Sequence, residues 1–402
     1  MGTFASEFRK IQTLVFDRFT RASANPDEPR LLAQASCQIP KERRVVIVDS
    51  DFAYGNARAL ALELAKELTM DEILFIPYDE TGLIWAKSHG LNAELFSTKS
   101  GPGSAELWNS ILRAKVSVYD SHNWWRSRDQ LIQRSLLAGS FKIQLWHGAT
   151  GPVGKVFGLE RLHTAPTFWH FSAVATSSVG FDVLVNEPSQ AQYRRTRSMI
   201  AEKSVHDVEY RLVEALGGKS WTPSESKRIL IAPTYSESIA GEDALVRWIS
   251  EVVSIAKSKA WEVDIALHPG AKPRVASAVR RSTGISPRLV ATATSELRNY
   301  RAVVTDFSGI AHDSLMCGIP TVSVLIDFND YQALCPAIVD DEQMAISYVV
   351  TSSGELEKKL VEAVDDDPLV AARSAYVQSV ISQLGDKPGS NTKAAVLSAL
   401  NS

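Results

Sequence analysis

Two runs rich in β-branched residues, Val303-Val304-Thr305 and Thr321-Val322-Ser323-Val324, bracket a segment that carries Ile310, Leu315 and Met316. This reads as strand, turn, helix, turn, strand. A helix linking two apolar strands confines the chain to a parallel sheet covered on both faces. Gly318-Ile319-Pro320 should end the helix, because Gly tolerates left-handed geometry and Pro cannot continue the turn. At the first turn the Ser308 hydroxyl and the Gly309 amide stand at a helix start, where an anion such as phosphate finds donors. In an open parallel sheet that turn lies at the carboxyl ends of the strands, where ligands bind. A capped helix without a ligand would carry the same residues, and Asp306 has the chemistry of a helix cap.

The same alternation runs through the rest of the chain. Arg44-Val45-Val46-Ile47-Val48-Asp49 reads as a strand, Ser50 to Asn56 as a turn, and Ala57 to Leu68 as a helix. Further strands are expected at Ile73 to Ile76, Val116 to Tyr119 and Lys142 to Leu145, with helices at Leu107 to Arg113 and Asp129 to Leu137. After Tyr193-Arg194-Arg195-Thr196-Arg197 a helical pattern runs to Leu216. Gly217 to Ser226 reads as the domain boundary. A second half then restarts with strands at Arg228 to Ile231, Val263 to Leu267, Leu289 to Thr292 and Ala302 to Thr305, and a helix at Asp243 to Ser258. Glu355 to Val364 and Asn391 to Leu400 read as late helices, with Asp365-Asp366-Asp367-Pro368 a solvated turn between them. The expected domains are an N-terminal helix and connection (1–40), a Rossmann-like domain (41–216), a second Rossmann-like domain (227–390) and a closing helix (391–402).

Composition narrows the function classes. The chain has 402 residues, 45% hydrophobic and 22% charged, and a net charge of −3, an ordinary globular balance without the basic surface that nucleic-acid binding needs. Cys37, Cys317 and Cys335 are irregularly spaced, so neither a disulfide framework nor a metal site is expected, and a reducing cytoplasmic location fits. No apolar run is long enough to span a membrane, so any membrane contact is peripheral. Ser6 to Arg21 places Phe8, Ile11, Val15 and Phe19 on one helical face, which suits docking on the core or a partner, or anchoring at a membrane surface. Ser23 to Pro40, with Pro26, Pro29 and Pro40, reads as a connection.

Two histidines end strands. His147 follows Ile143-Gln144-Leu145-Trp146, and His268 follows Val263-Asp264-Ile265-Ala266-Leu267. An imidazole there can accept a proton from an attacking hydroxyl, since its pKa lies near neutral pH. A histidine bonded to a turn carbonyl would look the same. Four stretches, Gln144-Leu145-Trp146-His147-Gly148, Ala232-Pro233-Thr234, Leu267-His268-Pro269 and Thr305-Asp306-Phe307-Ser308 with Asp313, occur in an order that resembles the CDP-glycerol glycerophosphotransferase family of teichoic acid and capsule synthesis. Asp327 and Tyr331 sit where that family has an Asp and a Tyr, and the resemblance covers roughly residues 43–331. It departs in Ala149-Thr150-Gly151-Pro152 and a single Lys155, where the family carries Thr-Pro and lysines.

The resemblance implies a GT-B-type α/β fold, two Rossmann-like domains with an interdomain cleft, and no cofactor or catalytic metal. It implies transfer of a polyol-phosphate, glycerol- or ribitol-phosphate, from a CDP-linked donor to a hydroxyl of a polyol-phosphate or glycan acceptor, at the inner face of the membrane. By the same resemblance His147 matches the base, while His268, Ser308 and Asp313 match residues near the nucleotide and its phosphates; His147 and His268 are therefore the expected catalytic pair, and Thr234, Asp306 and Gly309 join Ser308 and Asp313 as expected nucleotide- and phosphate-binding residues. A glycosyltransferase using a nucleotide sugar, or a non-catalytic nucleotide-binding component of a polymer-synthesis complex, are the alternatives.

Overall fold

The computed structural model describes residues 27–49, 55–97, 104–120, 128–146, 151–155, 181–188, 201–217, 227–234, 239–268, 271–289, 294–329, 337–385 and 387–402. The expected N-terminal amphipathic helix, the arginine-rich patch at 193–197, the boundary segment beyond Gly217, His147 and Tyr331 lie outside these residues.

The first lobe is a six-stranded parallel sheet of β1 (Glu42–Val48), β2 (Ile73–Ile76), β3 (Ala114–Tyr119), β4 (Phe141–Gln144), β6 (Phe181–Asn186) and β7 (Ala201–His206), in the order β2-β1-β3-β4-β6-β7. β1 lies inside the sheet between β2 and β3, and Val45, Val46 and Ile47 are all fully buried, as a strand covered on both faces requires. The pleat divides them. Val45 and Ile47 pack with the helix Asn56–Leu64, and Val46 packs with the helices Ser104–Leu112 and Arg128–Leu136. The second lobe repeats the design with β8 (Arg228–Ile231), β9 (Glu262–Leu267), β10 (Arg288–Leu289), β11 (Ala302–Thr305), β12 (Thr321–Val324) and β14 (Tyr348–Val350), in the order β10-β9-β8-β11-β12-β14, all parallel. Residues 302–324 form β11, the helix Ile310–Met316 and β12, and Gly318 has φ +79° where the helix ends.

Three expectations are corrected. Residues 23–40 are not all connection: Asp27–Gln38 is a helix, tolerating Pro29 in its first turn, where no amide partner is lost. It is held by the buried Ser36 hydroxyl, which donates to the Leu136 carbonyl at 2.6 Å. The helical pattern toward Leu216 is instead the edge strand β7, then the 3-10 turn Tyr210–Leu212 and the short helix Val213–Gly217. An edge strand needs no apolar run, so Glu202-Lys203-Ser204 gave no strand signal. Asp367 is not solvated. It is 5% exposed, and both its carboxylate oxygens accept from Nη2 of the fully buried Arg373, at 2.6 and 2.5 Å.

The lobes are tied by chain that crosses between them. Val208 and Leu212 pack into the second lobe's core while Tyr210, between them, packs into the first. The C-terminal helix Ser390–Asn401 returns to the first lobe through Val396, Ala399 and Leu400, and Asp207 accepts from the Gly389 and Thr392 amides at its start, at 2.7 and 2.8 Å. A two-stranded antiparallel ribbon, β5 (Val153–Lys155) with β13 (Ala337–Val339), joins the segment after β4 to the second lobe. No helix among the described residues is long and apolar enough to cross a membrane.

Candidate functional site

In the second sheet the strand order reverses between β8 and β11, the position at which a crevice opens beyond the carboxyl ends. Ala232-Pro233-Thr234 leaves β8 there and Asp306 leaves β11, and the two are bonded. The Thr305 hydroxyl donates to the Ala232 carbonyl at 2.6 Å, and the Thr234 amide donates to Oδ1 of Asp306 at 2.7 Å. Asp306 therefore joins two strand ends rather than capping the helix, whose N-cap is Gly309 with no side-chain bond. Burial raises the Asp306 carboxyl to about 7; its backbone amide partners oppose this and the nearby Asp327 carboxylate adds to it.

β9 neighbours β8 on the other side, and His268 at its carboxyl end is exposed. Its carbonyl accepts from the Ala271 amide at 2.8 Å, closing a turn. That turn is pinned by Glu242, at the start of the helix after β8, which takes Lys272 at 2.7 Å and Arg274 at 2.6 Å. Ser308 and Gly309 are half-buried at the start of the helix Ile310–Met316, with the Ser308 hydroxyl 3.5 Å from the Ile310 amide. Thr234, His268, Asp306 and Ser308 thus follow three adjacent strands, whose spacing is about 4.8 Å per step.

The first lobe brings its own carboxyl ends to the same junction. Leu145, Trp146, Val185, Asn186, Glu187, Asp207 and Glu209 line a small crevice beyond β4, β6 and β7. Contacts from here reach the helix Ile310–Met316. Nε2 of His312 lies 2.9 Å from Oε1 of Glu187, with side chains 0% and 2% exposed. Nη2 of Arg211 donates to Oδ1 of Asp313 at 2.9 Å, while Nε lies 2.9 Å from Glu209. Burial disfavours charge on the His312 imidazole, but the Glu187 carboxylate bonded to it outweighs this and the pKa rises to about 9. Burial likewise pushes the Asp313 carboxyl up, against the pull of Arg211. Asp313 is thus a buried partner of Arg211. Gly151 packs so close that a Cβ on it would lie 2.6 Å from Cβ of Ala311 and 3.3 Å from the Ser308 carbonyl.

Sequence reasoning missed Glu187, Arg211 and His312. The partners of this buried group are 125 and 102 positions apart in the chain, and nothing local announces them. Among the described residues no group of His, Cys, Asp and Glu could hold a metal ion.

No family model matches the chain. No curated protein matches it either. Solved structures do. One of the wall teichoic acid polymerase TagF, a histidine-to-asparagine variant soaked with CDPG for 15 minutes, superposes with a TM-score of 0.60 at 14% identity, covering 97% of this chain and 98% of that one. A second TagF structure gives 0.54 at 15% identity, covering 97% and 96%. At such identity the likeness is one of fold, and the fold is GT-B-type α/β with two parallel sheets.

Proposed function

We propose that the protein is a transferase that moves a polyol-phosphate from a CDP-linked donor to an acceptor hydroxyl in the synthesis of a cell-surface polymer. The observation that supports this most is the arrangement of Thr234, His268, Asp306 and Ser308 on the carboxyl ends of the adjacent strands β8, β9 and β11, opposite the strand ends of the first lobe. Independent stretches of sequence singled out for one chemistry fall on one rim of one sheet. The full-length likeness to TagF, which has been soaked with CDPG, favours a CDP-linked donor over other nucleotide-linked donors.

In this reading His147 takes the proton of the acceptor hydroxyl, and His268, the Ser308 hydroxyl and the Gly309 amide hold the donor phosphates. Phosphoryl transfer depends chiefly on positioning and on neutralising charge, so donors fixed by backbone suffice. Asp306 with its proton on carries no charge to repel those phosphates, and its bond to Thr234 keeps the two turns in register. Asp313 acts one step back, holding Arg211 and with it the helix that begins behind Ser308. A panel of CDP-, UDP- and CMP-linked donors, with and without membrane extract as acceptor, tests the reading. CMP release from CDP-glycerol or CDP-ribitol supports it, and nucleotide release from sugar donors alone replaces it with a glycosyltransferase.

A further inference from the structure

Trp146, the residue before His147, has φ +69°, a left-handed conformation that a bulky side chain rarely adopts. It is 3% exposed and ends the stretch leaving β4. Something must hold it there. Its carbonyl accepts from Nδ2 of Asn56 at 2.8 Å, and its amide donates to Oε1 of Gln144 at 3.3 Å. Asn56 is fully buried at the start of the helix Asn56–Leu64, and Oδ1 of the same amide accepts from the Arg211 backbone N–H at 3.0 Å. The side chain of Arg211 then donates to Asp313 in the helix Ile310–Met316 of the other lobe.

One planar amide therefore donates to the Trp146 carbonyl and accepts from Arg211, and neither end can be exchanged without losing both bonds. We infer that Asn56 is a positioning residue, the centre of a polar relay that runs from the Trp146 carbonyl through Arg211 to Asp313 and sets the two lobes' strand ends relative to one another. Asparagine is required because the relay needs a donor and an acceptor from one short side chain. Aspartate supplies no donor, and alanine supplies neither. The relay couples the residue preceding one proposed catalytic histidine to the helix behind Ser308. Its kinetic consequence rests on the transferase reading above, whereas its structural consequence does not.

The test is amide hydrogen exchange on the full chain, comparing wild type with Asn56→Ala and with Arg211→Met. The methionine variant keeps the backbone N–H that Asn56 accepts but removes the link to Asp313. The relay predicts that cutting either link speeds exchange by about tenfold in both 141–146 and 310–317, while β1 and β3 keep their protection. Faster exchange in 141–146 alone for Asn56→Ala, or in 310–317 alone for Arg211→Met, overturns it, as does a uniform rise. If Asn56→Ala does not fold, Arg211→Met decides the matter from the other end. The kinetic arm expects kcat to fall by about tenfold or more at an unchanged donor KM, since small displacements of a reacting group are costly. Absence of turnover by wild type with every nucleotide-linked donor would remove the transferase reading and leave the exchange result standing.

Discussion

His312 and Glu187 meet at 2.9 Å with both side chains almost wholly buried, one on the helix after β11 and the other beyond β6, so an ion pair joins the two lobes at their strand ends. The His312 pKa is raised from its ordinary 6.5 to about 9. Its contribution to stability is therefore complete below pH 6.5 and is lost as pH rises through about 9. Thermal unfolding between pH 7 and 10 should show wild type losing more stability over this window than His312→Gln, which starts lower by ~3 kcal/mol because it strands a buried carboxylate. Equal pH profiles for the two proteins would remove the pair from the account.

Asp306 works in the same direction over a lower window. A buried carboxyl raised from 3.8 to about 7 binds its proton more tightly when folded, so the fold loses stability as pH climbs from about 4 to about 7. Asp306→Asn keeps an oxygen for the Thr234 amide and removes the titration. Its Tm at pH 8 should exceed that of wild type by several degrees, with little difference at pH 4. In the proposed reaction the donor KM of wild type should rise as pH passes 7, and that of Asp306→Asn should not.

Gly151 permits the close approach of the segment after β4 to the second lobe. With Cβ atoms of residues 151 and 311 only 2.6 Å apart, Gly151→Ala should destabilise the fold by ~1–3 kcal/mol, and adding Ala311→Gly should restore most of it. Denaturant midpoints of the single and double variants measure this, and additive losses would contradict the contact.

Asp367 and Arg373 form a pair in which the guanidinium is fully buried, and the Tyr348 hydroxyl donates to the same carboxylate at 2.8 Å. Asp367→Ala should cost ~3–5 kcal/mol by leaving the guanidinium uncompensated. A loss below ~1 kcal/mol in urea unfolding would show that water reaches the site.

The fold was legible where strands are buried on both faces. β1 announces itself through the apolar run Val45 to Val48, β11 and β12 through runs rich in β-branched residues, and the helix between the last two is bounded by Gly318. Legibility failed where burial is one-sided or contributed by distant chain. β7 lies at an edge, so its polar residues carried no period, and the helix Asp27–Gln38 is fastened by Ser36 to residues a hundred positions away. The turns bearing Thr234, Asp306 and Ser308 were visible because strand-end position follows from topology. The junction of Glu187, His312, Arg211 and Asp313 was not, since it exists only once the lobes meet.

In the proposed reaction these strand ends form one site for phosphate-linked transfer. It is tested most directly by nucleotide release from CDP-glycerol and CDP-ribitol in the presence of membrane acceptor, comparing wild type with His147→Ala and His268→Ala. Wild type should release CMP, with a loss of roughly two to four orders of magnitude in His147→Ala and a large loss in His268→Ala. Undiminished CMP release by both variants, or nucleotide release only from sugar-linked donors, would contradict it.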